Sequence, residues 1–184
     1  MLVIQKFSWF AIWTVMCWPF VTSADALRDP IENFFDQSFG DLHEELVTAR
    51  EEGKKGLLIM FESEDCPWCK KMRALVLNRA SVQDYYRDHF RILTVDTEGD
   101  TELVDFAGKS VAEKDFSLKH NRVRATPVFA FFDLDGGLMF KYTGAARDID
   151  EFMWLGEFVA DDHYKTKKFS KYKRERRAQA RNQS

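Results

Sequence analysis

Gly56-Leu57-Leu58-Ile59-Met60-Phe61, followed within five residues by Cys66-Pro67-Trp68-Cys69, is the stretch that decides the fold. Leu57 to Phe61 is a short apolar run bounded by Gly and acids. It reads as a strand buried on both faces, as in a parallel or mixed sheet. The four-residue motif then opens a helix over residues 66–78, with Met72, Leu75 and Val76 on one face. Cys66 falls at the N-cap, and Pro67 at the first helical position, where its missing N–H costs nothing. Free backbone N–H groups and the helix dipole favour negative charge on the Cys66 sulfur. A thiolate is the nucleophile of disulfide exchange. Cys69, about one turn deeper, is placed to attack a mixed disulfide and release the product.

Three other roles compete for the pair. A static disulfide across two residues restrains the unfolded chain little. Half of a zinc site would need further ligands, but His43, His89, His120 and His163 are scattered without metal-ligand spacing. A reduced structural pair is the third. The strand-then-helix context favours redox exchange, with no metal.

Outward from the motif, Asp41 to Glu52 places Leu42, Leu46, Val47 and Ala49 at helical spacing, and Gly53-Lys54-Lys55-Gly56 stops that helix. On the other side, Ser81 is expected to cap a helix running to His89. Phe90 to Val95 reads as a second strand. Thr97 to Ser110 is polar and reads as a loop or insertion, and Val111 to Asn121 as a weak helix. Val128 to Phe132 and Leu138 to Tyr142 read as a hairpin around Asp135-Gly136. Asp148 starts the last expected helix, with Ile149, Phe152, Met153, Leu155 and Phe158 facing a core. This order predicts an α/β fold, a central mixed β-sheet flanked by helices on both faces.

The chain of 184 residues is 45% hydrophobic and 31% charged, with 17 Phe, which excludes wholesale disorder. Its three cysteines exclude a disulfide-stapled scaffold. Phe7 to Val21 is apolar and uncharged, shorter than the roughly 20 residues of a permanent membrane span. Ala24-Asp25-Ala26 follows as an A-x-A site. Residues 1–26 are therefore expected to be an export signal cleaved after Ala26, the alternative being an uncleaved anchor. Cleavage removes Cys17 and leaves Cys66 and Cys69 in a compartment where disulfides persist. The remaining organisation is a lead-in at 27–38, a domain at 39–164 and a basic tail at 165–184.

From roughly Phe39 to Ala160 the chain resembles thioredoxin-fold thiol–disulfide oxidoreductases. The strand before Cys66-Pro67-Trp68-Cys69 matches, as do Val123-Arg124-Ala125-Thr126-Pro127, the Asp135-Gly136 turn and Thr143-Gly144-Ala145. The subgroup it most resembles is the periplasmic SoxW-type thioredoxins, related to the catalytic domains of DsbC-like proteins. The resemblance implies that Thr126-Pro127 is cis, beside a redox-active Cys66–Cys69 disulfide, and that no other cofactor is needed. Thr126 could then pair with an extended client segment, like an added strand. Trp68 would offer clients an apolar contact, or partly shield the sulfurs.

Two departures stand out. Many thioredoxins carry a buried Asp where this chain has Met60, and Glu62 or Glu64 are the candidate substitutes. The stretch Thr97 to Lys114 is surplus, and would either shape the client surface or form a solvated loop.

Glu64 and Asp65 oppose a Cys66 thiolate. A Cys66 pKa nearer ~7 than ~3.5 is expected, which favours a reductase. The expected partners are client proteins with disulfides and a membrane electron donor of the CcdA/DsbD type. A disulfide oxidase or isomerase, or a non-catalytic client-binding module, are the rival readings. The tail carries nine Lys/Arg and one Glu, against about −11 on residues 27–164. It reads as a solvated end, or as a contact to anionic lipid or an acidic partner. Nothing in it suggests nucleic acid.

Overall fold

The computed structural model describes residues 25–182, so Cys17 and the proposed leader up to Ala24 lie outside the described residues. The chain enters through α1 (Pro30–Asn33) and α2 (Leu42–Glu51). Asp29 and Asp41 cap them, each accepting a backbone N–H two or three residues on. The lead-in is built into the domain. Phe34 and Phe35 are buried, and Asp36 exchanges two 2.7 Å hydrogen bonds with the backbone N–H and C=O of Ile92.

The sheet follows: β1 (Gly56–Glu62), then α3 (Pro67–Leu75) and α4 (Ala80–His89), then β2 (Phe90–Asp96). Leu75, expected on the buried face of α3, is exposed, as is Val47 on α2. Ser81 does not cap α4; it lies inside the helix, whose N-cap is Arg79. Asp25 takes the capping role, accepting the Ser81 backbone N–H and hydroxyl at 2.9 Å each. The two residues that cleavage after Ala26 would discard thus hold α4, since Ala26 also accepts the Ala80 N–H.

The stretch expected as a loop is instead a two-stranded ribbon, β3 (Glu102–Val104) paired antiparallel with β4 (Ser110–Ala112). One helical turn, α5 (Glu113–Asp115), then runs into a π-helical turn over Phe116–His120, shorter than the expected helix. The ribbon folds against the domain because Leu103 is buried and Val104 donates its N–H to Gly40.

β5 (Val128–Phe132) and β6 (Leu138–Thr143) form the expected hairpin, and α6 (Ile149–Ala160) starts at Asp148, which caps the Glu151 N–H at 2.8 Å. The strand order is β2-β1-β5-β6, with β1 parallel to β2 and the other pairs antiparallel. Alternation divides the central strands between two cores. Leu58, Met60, Phe129 and Phe131 face α3, α4 and α6. Leu57, Ile59, Phe61, Val128 and Phe132 face α2 and the ribbon. Gly56 begins β1 because a Cβ there would run into the Phe132 carbonyl. Gly156 lets α6 approach Tyr85 and Tyr86 of α4, whose hydroxyl at Tyr86 donates to the Phe152 carbonyl at 2.6 Å.

The basic segment is not a tail in this structure. After a 3-10 turn at His163–Lys165 it forms α7 (Phe169–Asn182) on α6. Phe169 and Tyr172 are buried in the core shared with Phe158 and Phe140. Its acidic partner is intramolecular: Lys173 and Arg177 pair with buried Glu151, and Arg176 with Glu157. The domain therefore extends past residue 164.

Candidate active site

Four residues, Ser63 to Cys66, carry the chain from the end of β1 to α3. Cys66 is extended, as an N-cap must be, and Pro67 occupies the first helical turn. Cys66 and Cys69 form a disulfide. The Cys69 backbone donates its N–H to Cys66 Sγ at 3.0 Å. The Cys66 sulfur is thus held by the first turn of a helix whose dipole favours negative charge there. Both cysteines are buried and belong to the same core as Met60, Met72, Phe129 and Trp154. Glu64 and Asp65, by contrast, are exposed, so water screens their opposition to a thiolate.

Trp68 projects outward with 54% of its surface exposed, and Lys71 Nζ stands 5.1 Å from its ring centre. Thr126-Pro127 is cis. The register pairs Phe61 with Val128, so Thr126-Pro127 lies at the same end of the sheet as Glu62 and Ser63, just ahead of Cys66. Pro127 is itself tied down, its carbonyl accepting the Gly144 N–H at 2.8 Å. The Thr126 backbone makes no hydrogen bond among the described residues.

Two cavities open near the motif and the cis-proline. One, of about 340 Å³, is lined by Ser63, Glu98, Lys114, Leu118, Arg124 and Thr126. The other, of about 380 Å³, is lined by Cys69 together with Glu62, Arg73, Asp96 and Glu113. Trp68 lines neither. Met60 presents no acid to the sulfurs and is fully buried. Glu62 is in the second cavity but is already matched by the Arg73 guanidinium, which reaches both its oxygens. Glu113 is a carboxyl that sequence reasoning did not single out. It opens α5 just after the ribbon, 44 positions after Cys69, with no local motif to mark it. Burial pushes its pKa up, the Asp96 N–H bond at 3.3 Å opposes this, and the nearby Asp96 charge adds to the rise. Among the described residues no cluster of three or more His, Cys, Asp or Glu could hold a metal ion.

Comparison with known proteins agrees with this architecture. A family model described as a thioredoxin-like domain matches residues 42–160. A thioredoxin-fold protein from Helicobacter pylori superposes with a TM-score of 0.61 at 18% identity, over 80% of this chain and 90% of that one. A thioredoxin from Thermus thermophilus superposes with a TM-score of 0.50 at 24% identity, over 63% of this chain and 81% of that one. None of the curated protein sequences matches the chain.

Proposed function

The chain belongs to the thioredoxin-like family, and on that premise we propose that it is an exported thiol–disulfide oxidoreductase that reduces client disulfides through Cys66 and Cys69. The observation that carries the reading is the placement of Cys66 as N-cap of α3, bonded to the Cys69 N–H and disulfide-linked to Cys69. In the reduced protein that N–H and the helix dipole stabilise a Cys66 thiolate. The thiolate attacks a client disulfide and releases one client thiolate. Cys69 then attacks Cys66 Sγ, expels the second client sulfur and restores the disulfide.

The unpaired Thr126 backbone supports client binding as an added strand beside Pro127. Exposed Trp68 supplies an apolar face for the same client. Pro67 fixes the first turn and so tunes the site. We place the protein in the periplasm, within the SoxW-type group, and assign its recharging to a membrane electron donor of the CcdA/DsbD type. The leader-like stretch before Asp25 supports export. We place the cut after Ala24 rather than Ala26, because Asp25 and Ala26 hold α4.

The test is a pair of variants. Cys66→Ser should abolish reduction of insulin disulfides, and Cys69→Ser should accumulate client mixed disulfides on Cys66. A Cys66→Ser variant with undiminished function would favour the client-binding module instead.

A further inference from the structure

Resolution of a mixed disulfide requires Cys69 to lose a proton, since only the thiolate attacks. Cys69 is buried, so bulk water has poor access to it. Its polar outlet is the cavity of about 380 Å³ between α3, the ends of β1 and β2 and the start of α5. That volume has room for several waters, and carboxylates line it. Glu62 is neutralised by Arg73. Asp96 turns a carboxylate oxygen to the Glu98 N–H at 2.9 Å. Glu64 is exposed, and Lys70 is a cation on the same wall. Glu113 remains. One of its oxygens accepts the Asp96 N–H, and the other lies over Gly99, where a Cβ would run into it. The carboxyl is therefore fixed in the wall, and Gly99 is the residue that leaves it room.

We propose that Glu113 receives the Cys69 proton through water in this cavity. The proposal rests on the dithiol reading above. In the mixed disulfide, Cys69–SH gives its proton to the Glu113 carboxylate. The Cys69 thiolate forms a bond to Cys66 Sγ, and the bond from Cys66 to the client sulfur breaks. The departing client thiolate takes the proton back from Glu113. Two client sulfurs are reduced, two protein sulfurs are oxidised, and Glu113 ends as it began. Its burial-raised proton affinity suits the exchange, because a base works best when matched to its partner near the working pH.

The test uses the reduced full chain and dithiobis(nitrobenzoate) in stopped flow. Attack by Cys66 releases a first nitrothiolate, and resolution by Cys69 releases a second. Glu113→Gln keeps an oxygen for the Asp96 N–H and cannot titrate. It should leave the first phase unchanged and slow the second by about a hundredfold at neutral pH. The slowed phase should then climb about tenfold per pH unit, as hydroxide replaces the lost base. Glu113→Asp should restore part of the rate with the wild-type pH profile. A Glu113→Gln second phase equal to wild type in rate and pH dependence overturns the proposal. A wild-type chain with no second phase overturns the dithiol reading, and this assignment with it.

Discussion

Cys66 Sγ accepts the Cys69 backbone N–H at 3.0 Å, so the leading cysteine is also the N-cap of α3. In the reduced protein the same N–H stabilises the thiolate, while Glu64 and Asp65 oppose it only through solvent. The rate of Cys66 alkylation by iodoacetamide should therefore titrate with a midpoint below that of a free cysteine. Replacing Glu64→Gln and Asp65→Asn together should lower that midpoint by less than about one unit.

Asp25 caps α4 from outside the helix, through both the amide and the hydroxyl of Ser81. Asp25→Ala should cost about 1 kcal/mol in urea unfolding, the usual worth of such a cap. N-terminal sequencing of the protein isolated from its native compartment should begin at Asp25. A mature chain beginning at Leu27 would contradict the cut after Ala24.

α7 is a structural helix. A chain ending at Lys168 loses burial of Phe169 and Tyr172 and leaves buried Glu151 without Lys173 and Arg177. Burial of the two rings alone stabilises by about 3 kcal/mol or more, so urea unfolding should show at least that loss. Lys168, Arg174 and Arg181 make no ion pair among the described residues. Replacing those three by Gln should change stability by less than about 0.5 kcal/mol. Any binding to anionic vesicles at low salt should fall with them.

Asp148 and Glu113 should give opposite pH dependences. Burial pushes the Asp148 carboxyl up, but the Glu151 N–H and Arg147 outweigh it and hold it below the usual range. Its ionised form is favoured by folding, so its stabilisation is present at neutral pH and is lost as pH falls through the depressed value. Asp148→Asn should shrink the acid limb of the stability profile. Glu113 is raised, so its contribution is fully present below the ordinary carboxylate range and is lost as pH rises through the folded value. Glu113→Gln should remove that loss, gaining stability at pH 8 relative to pH 5. Urea midpoints across pH check both signs.

The central strands and the motif were legible because their signals are local. Leu57 to Phe61 is apolar throughout, and the helix start needs only Cys66 and Pro67. The ribbon was not legible, since Glu102–Val104 and Ser110–Ala112 are three residues each, too short to show alternation. Leu103 earns its strand through burial against the domain. α7 reads as a solvated end because its cations dominate the composition, while Glu151 and Glu157 lie on another helix. Asp25 and Glu113 share that difficulty: each acts on residues distant in sequence, Asp25 is read as part of the A-x-A site and Glu113 sits in no motif.

Equilibration of the Cys66–Cys69 couple against dithiothreitol buffers, read by Trp68 fluorescence or thiol alkylation, tests the reductase account most directly. The account predicts a midpoint near the roughly −270 mV of thioredoxin. A midpoint near the roughly −120 mV of DsbA would contradict it and make the protein an oxidant.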